Sequence, residues 1–411
     1  MELVNVAAIL VSIAALMAYV NYRFIGLPSA IGLMVISLCL SVGLIILSKL
    51  GMVVITESAR LLIDKVDFSV TLLHGMLSFL LFAGALHINI NDLARFKWVI
   101  GLMATAGVMV SALIISTLMW WLLGLLGLPI PFIYCLLFGA LISPTDPIAV
   151  LGILKSAGVP KNLEIKIAGE SLFNDGVGVV LFIAILGIAT GGQEVNAMNI
   201  TILFLEEAVG GIILGFVLGS MAFYLLKDVD NYPVEILLTL ALVMGGYSLA
   251  IAIHTSGPIT MVVAGLLIGN HGRRYAMSDK TREHLDTFWE LVDEILNAVL
   301  FVLIGFELLI ISFSPSSIYA GLLAIPVVLL ARFLSVSFPI KLMSLKQQFS
   351  PGSIRVLTWG GLRGGISVAL VLSIPAGEAR ELLLTITYIV VIFSVIVQGL
   401  SIERVVKRWC D

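Results

Sequence analysis

The sequence predicts an all-α polytopic membrane protein with thirteen transmembrane helices, arranged as two inverted six-helix repeats around a linker helix. Hydrophobic residues make up 60% of the chain and charged residues only 12%, whereas a soluble domain carries about 25% charged residues. So few charges cannot cover the surface of a soluble protein of this length. Apolar stretches near bilayer length recur along the whole chain, and two of them are interrupted, near 143–147 and 360–365.

A transmembrane helix needs about 20 mostly apolar residues to cross the hydrocarbon core of a bilayer. Thirteen segments meet or approach that length, and the one at 257–269 is the shortest. They are 5–21, 27–47, 70–88, 98–124, 132–154, 170–190, 200–226, 234–253, 257–269, 288–312, 317–340, 354–375 and 382–402.

The lysines and arginines between these segments predict the orientation. Seventeen of the 23 lie in loops on one side, four lie on the other side, and Arg332 and Arg363 lie within segments. Cytoplasmic loops carry the excess of positive charge. We therefore expect a multi-pass protein with its N-terminus outside and its C-terminus in the cytoplasm.

The linker helix at 200–226 divides the single membrane domain (1–411) into two halves, 5–192 and 234–402. One odd helix between two sets of six inverts the second set, and inverted repeats with interrupted helices near the midplane are typical of transporters. The fifth segments of the two halves should then correspond. One contains the break Ser143–Pro147, and the other contains Arg363 among four glycines within Trp359–Gly365.

The first break combines helix breakers with a carboxylate. Pro144 and Pro147 lack an N–H, so the carbonyls of Ala140 and Ser143 lose their helical donors. Such carbonyls are tolerated at membrane depth only inside protein or a hydrated cavity, where they could bind a cation together with Asp146 and the hydroxyl of Thr145. The alternative is a proline-kinked packing helix in which Asp146 pairs with a neighbour.

The next segment carries a second acid. Ser171 and Asp175 are four residues apart and share a helix face. With Asp146 they form a plausible set of hard oxygen ligands for a small monovalent cation, and Asn174 flanks them. An intramembrane acid is a functional-site hypothesis by default. The alternative is that Asp175 is a structural hydrogen-bond acceptor.

The remaining intramembrane charges need partners. Arg332 is the natural candidate to neutralise Glu170 in a structural ion pair. Arg363 could offset the carbonyl ends of two half-helices or gate the cavity.

Three acids near a cytoplasmic segment end follow helical spacing and either form a solvated face or line a funnel that attracts cations. They are Glu290, Asp293 and Glu294. The five histidines and three cysteines have no metal-ligand spacing, so we expect no cofactor and no metal other than a monovalent cation at Asp175 and Asp146. There is also no basic run suited to nucleic acid.

Three motifs give the chain a family resemblance. Ser143–Val150, Gly169–Gly176 and Gly360–Gly365, in this order and spacing, resemble the monovalent cation/proton antiporters of the NhaP type, which are bacterial and archaeal relatives of eukaryotic sodium/proton exchangers. The resemblance covers essentially the whole chain. It implies two inverted repeats, a homodimer formed through segments 1–3 and 7–10, and moving core helices at about 98–190 and 317–402.

The resemblance also implies residue roles. Asp175 and Asp146 would bind the ion with help from Ser171, Thr145 and Asn174, and Glu170 would pair with Arg332. Asn174 before Asp175, in place of a second acid, implies electroneutral one-for-one exchange. One departure concerns the third segment, where Leu80–Leu86 lacks an acid that some relatives place near the site.

The function expected is exchange of a monovalent cation for a proton by competition at Asp175 and Asp146 with alternating access, rather than enzymatic catalysis. Na⁺ is the first candidate, with Li⁺ and K⁺ left open, and pH homeostasis at the plasma (inner) membrane is the expected role. One alternative is a cation channel or uniporter without proton coupling, which the buried arginines disfavour. Another is an intramembrane aspartyl protease, for which the sequence has no recognisable substrate groove.

Overall fold

The computed structural model describes residues 2–50, 68–146, 154, 159–191, 197–311, 313–344 and 352–409. These residues form helices and short connections, without a β-strand among them. In the first half, the helices are α1 (Glu2–Val20), α2 (Ser29–Lys49), α3 (Phe68–Leu86), α4 (Ile90–Arg95), α5 (Lys97–Leu125), α6 (Phe132–Ile142) and α7 (Lys161–Gly191). The linker and second half contain α8 (Ala197–Lys227), α9 (Tyr232–Ala252), α10 (Gly257–Leu267), α11 (Asp279–Glu307), α12 (Pro315–Met343), α13 (Ser353–Trp359), α14 (Gly365–Leu372) and α15 (Glu378–Trp409).

The all-α membrane fold predicted from the sequence is confirmed. Within the described ranges, nine helices are long and apolar enough to cross a membrane. The count of thirteen spans stays a prediction, because α6, α10, α13 and α14 are short and α11 begins with a charged stretch. Helices of this length cannot be counted as spans by length alone.

Two helices begin nine residues before the starts predicted from the sequence. The segment predicted to start at residue 170 starts at Lys161, and the one predicted to start at 288 starts at Asp279. Both extensions contain several charged residues, so a search for uncharged apolar segments stops short of them. The start of α11 is set by an N-cap, since the Ser278 side chain accepts a hydrogen bond from the Thr281 N–H at 3.3 Å.

The helices pack in two groups. In one group α5 packs against α6 and α12, α7 packs against α6, and α15 packs against α12 and α14. In the other group α10 packs against α3, α8 and α9, while α11 packs against α1, α2 and α3. The first group contains both interrupted helices. Its assignment as a moving core, at about 98–190 and 317–402, remains a prediction.

Candidate ion-binding site

The two helix breaks meet inside the protein. The first follows α6, which ends at Ile142, and the second separates α13 from α14. The Asp146 N–H donates to the Leu362 carbonyl at 2.8 Å, and Ser367 Oγ donates to the Leu141 carbonyl at 2.8 Å. The two interrupted helices therefore bind one another, and the Asp146 N–H and the Leu141 and Leu362 carbonyls find partners there that a continuous helix would have supplied internally. We call the region where residues 143–146 and 360–364 meet the crossing. Pro147, at the end of the first break, lies outside the described residues.

Glycines allow this close approach. A Cβ atom added to Gly364 would lie 1.9 Å from Asp146 Oδ2, and one added to Gly178 on α7 would lie 2.0 Å from Pro144 Cγ. Both distances are far below van der Waals contact. Any other residue at these two positions would push α14 and α7 away from the first break.

Arg363 binds the carbonyl end of α6. Its Nη1 donates to the Ser143 carbonyl and, at 2.6 Å, to the Pro144 carbonyl. Its own backbone N–H donates to Ser394 Oγ on α15 at 2.8 Å. The last carbonyls of a helix carry partial negative charge, which a cation stabilises. The Ser143 carbonyl, expected from the sequence to ligate a cation, is instead bound by Arg363.

Arg332 binds the carbonyl end of α13 and also binds the carboxylate of Glu170. Its Nη1 donates to Glu170 Oε1, and its Nη2 donates to Glu170 Oε2 at 2.9 Å. Its Nε and Nη2 also donate to the Leu357 carbonyl, at 3.3 and 3.2 Å, in the last turn of α13. Glu170 and Arg332 are both buried. A bidentate, doubly anchored guanidinium of this kind fixes α7, α12 and α13 relative to one another.

Thr145, Ser171 and Asn174 form a polar contact between the first break and α7. Asn174 Oδ1 accepts from the Thr145 N–H at 3.3 Å, and Asn174 Nδ2 donates to Thr145 Oγ1 at 2.9 Å. Thr145 Oγ1 also lies 3.1 Å from Ser171 Oγ. All three side chains are buried. Asn174 thus orients the break as well as flanking the acids.

Asp146 and Asp175 complete the crossing. Both carboxylates are buried, and Asp175 lies close enough to Asp146 and to Arg363 to interact with both charges. Two buried like charges repel strongly unless a proton or cation lies between them. We call the five buried charged side chains of this region the charged cluster: Asp146, Glu170, Asp175, Arg332 and Arg363.

One of the three outer acids faces the crossing. Asp293 on α11 is half-buried and interacts electrostatically with Asp146, whereas Glu290 and Glu294 are exposed. Asn297, one turn further, is buried and lies within hydrogen-bonding reach of the Asp293 carboxylate. Asn297 was not among the predicted site residues, although its spacing of four from Asp293 places both on one helix face.

A family model described as "Sodium/hydrogen exchanger, transmembrane" matches residues 11–408. The chain belongs to this sodium/hydrogen exchanger family. It is 51% identical over 410 residues to the Na⁺/H⁺ antiporter NhaP of Pseudomonas aeruginosa, covering 99% of this chain and 97% of the relative. It is 36% identical to the Na⁺/H⁺ antiporter NhaH of Halobacillus dabanensis, covering 93% and 92% of the two chains.

A solved structure has the same fold. The sodium proton antiporter MjNhaP1 of Methanocaldococcus jannaschii aligns with a TM-score of 0.75 over 99% of both chains, at 20% identity. A second structure of that protein aligns with a TM-score of 0.66 over 92% of this chain and 97% of the other. The resemblance inferred from three short motifs is thus confirmed over nearly the whole sequence, and the chain is a multi-pass membrane transporter of this family.

Proposed function

We propose that this protein exchanges Na⁺ for H⁺ across the membrane at Asp175 and Asp146. Relatives named as Na⁺/H⁺ antiporters, one of them 51% identical over nearly the whole chain, support this substrate pair. The observation that carries the proposal is the pair of buried acids at the point where two broken helices cross.

The charge of the crossing supports one-for-one exchange. The charged cluster contains three carboxylates and two guanidiniums, all buried, which leaves one formal negative charge. One Na⁺ or one proton neutralises it, and both together would leave a buried positive charge. An unbalanced buried charge is costly, so Na⁺ and the proton displace one another. The occupied site then moves across the membrane without net charge, whichever of the two it carries. The exchange is therefore electroneutral.

The polar residues around the acids have distinct roles in this proposal. Asp175 and Asp146 hold the ion or the proton, and the hydroxyls of Thr145 and Ser171 offer further oxygen ligands beside them. Asn174 holds Thr145 in place. The arginines carry no ion; they stabilise the carbonyl ends of α6 and α13, which would otherwise add negative charge to the crossing.

Transport then requires alternating access. We infer that the group containing both breaks, about 98–190 and 317–402, moves as the core against the remaining helices (segments 1–3 and 7–10), which form a homodimer interface. We place the protein in the plasma membrane, N-terminus outside and C-terminus in the cytoplasm, with pH homeostasis as its role. Asp293 near Asp146 would attract cations on the way to the site.

Proteoliposomes test the proposal. Purified protein is reconstituted with a pH-sensitive dye inside, and Na⁺, Li⁺, K⁺ or choline is added outside in turn. We expect Na⁺ to drive proton movement in the wild type. Asp175→Asn and Asp146→Asn should each abolish it, while Glu290→Gln, an exposed acid on α11, serves as the matched control. Retained exchange in Asp175→Asn would overturn the site assignment.

The same vesicles separate exchange from conduction. With the membrane potential clamped at zero or set to either sign by K⁺ and valinomycin, an electroneutral exchanger moves protons at the same rate. A channel or uniporter would carry net current and follow the potential. A rate that depends on the potential would contradict the one-charge argument.

A further inference from the structure

A recess rich in arginine lies away from the crossing. It has a volume of about 530 Å³ and lies between the turn after α3, the end of α10 and the start of α11. Among the described residues it is lined by no Asp or Glu. Its polar and charged lining includes Arg273, Arg274, Arg282, His87, His271 and Asn89. A recess of this size can hold a small organic ligand.

The floor of the recess is held rigidly. Asn270 Oδ1 accepts from the Ile90 N–H at 2.8 Å, and Asn270 Nδ2 donates to the Ile88 carbonyl at 2.9 Å and the Leu266 carbonyl at 2.8 Å. A Cβ on Gly269 would lie 2.1 Å from the Leu86 carbonyl, so the end of α10 touches the end of α3 directly. The recess is therefore a built feature of the helix packing, unlike a gap between loose loops.

The arginines of the recess are incompletely neutralised. Arg273 pairs with Asp286, and Arg282 Nη1 lies 2.8 Å from Asp279, whose side chain is 97% exposed. Arg274 makes no ion pair with any described residue, and its guanidinium lies over the Tyr275 ring. Arg282 Nε is buried with no hydrogen-bond partner in the described part of the chain. Burial and the charge of nearby Arg282 both lower the pKa of Arg273. An anion among these groups would relieve that repulsion.

We propose that this recess binds a phosphate group through Arg274 and Arg282, beside Arg273. Guanidinium groups match the paired oxygens of phosphate, and three of them suit a multiply charged ligand. The loops concerned lie on the side predicted to be cytoplasmic, so the phosphate can belong either to an anionic lipid headgroup or to a soluble phosphate compound. The proposal does not depend on which ion the crossing transports.

Calorimetry on the full chain in detergent tests the soluble source, with inorganic pyrophosphate as the probe. We expect wild-type binding, and a loss of affinity of about tenfold in Arg274→Gln and in Arg282→Gln, because each removes a charge-assisted hydrogen bond. Lys341→Gln, which removes an exposed charge from the same predicted side, is the matched control. It should bind like the wild type.

The lipid source is tested by reconstitution into phosphatidylcholine vesicles with and without phosphatidylglycerol, followed by thermal unfolding. Stabilisation by phosphatidylglycerol that is lost in Arg274→Gln and Arg282→Gln, but kept in Lys341→Gln, supports a lipid headgroup. Pyrophosphate binding with the same variant pattern supports a soluble phosphate. Absence of both effects, or an equal loss in Lys341→Gln, would overturn the proposal. Arg274 is exposed, so its substitution does not endanger folding.

Discussion

Removing Arg332 should strongly destabilise the protein. In Arg332→Ala the buried Glu170 carboxylate loses both of its guanidinium hydrogen bonds. Breaking one side of a buried ion pair costs about 3–5 kcal/mol, because the remaining charge is uncompensated. The Leu357 carbonyl also loses its side-chain donor, which adds about 1 kcal/mol or more. We therefore expect the free energy of unfolding to fall by about 4–6 kcal/mol in total.

Titration with SDS in mixed micelles, followed by tryptophan fluorescence, measures this loss. Lys341→Ala is the control, because Lys341 is exposed on the same helix and should change stability by less than about 0.5 kcal/mol. The double variant Glu170→Gln/Arg332→Ala leaves no unpaired carboxylate. It should therefore be more stable than Arg332→Ala by about 2 kcal/mol.

Two outcomes would refute this reasoning. If Arg332→Ala unfolds like the wild type but loses transport, the arginine acts in the exchange cycle and the pair is not a structural anchor. If the double variant is no more stable than the single one, the lost stability comes from the Leu357 carbonyl or from packing, and the burial of an unpaired Glu170 charge is not its cause.

Three further substitutions test the crossing and the approach to it in the proteoliposome assay. Gly364→Ala would place a Cβ 1.9 Å from Asp146 Oδ2, so the exchange rate should fall at least about tenfold. An unchanged rate would mean that the break tolerates displacement. Asn174→Ala removes both hydrogen bonds to Thr145, so the KM for Na⁺ should rise by about tenfold. A change in kcat alone would contradict an orienting role for Asn174. Asp293→Asn should raise the KM for Na⁺ only a few-fold and mainly at low ionic strength, because salt screens the attraction between this carboxylate and Na⁺. A rise in KM that persists in high salt would contradict a role in attracting the cation.

Part of this arrangement was predictable from the sequence because the bilayer restricts where charges can lie. Apolar segments gave the all-α membrane fold, and helix breakers gave the two interruptions that meet at the crossing. A buried arginine has few possible partners within the membrane, which predicted that Arg332 pairs with Glu170. These two side chains do lie together. The ion-binding roles of Asp146 and Asp175 stay predictions until transport is measured.

Other features depend on neighbours far along the chain, which sequence spacing cannot locate. The Ser143 carbonyl lost its helical donor to proline as expected, but its actual partner, Arg363, lies 220 residues away. The polar first turns of α7 and α11 escaped a search for apolar residues. Asn297 could not be predicted, because a single asparagine in a sequence carries no signal, and only its burial beside Asp293 distinguishes it.

In the proposed mechanism, the single unbalanced charge inside the crossing would also limit leakage through the protein. Under the proposed ion-binding roles of Asp146 and Asp175, the charged cluster retains its net negative charge when neither Na⁺ nor H⁺ is bound. Carrying that charge through the occluded state would cost several kcal/mol, and about 4 kcal/mol corresponds to a roughly thousand-fold lower population of the empty intermediate. The return journey is then almost always made by a loaded site. In that mechanism, tight coupling between the two gradients would follow from this electrostatic penalty alone.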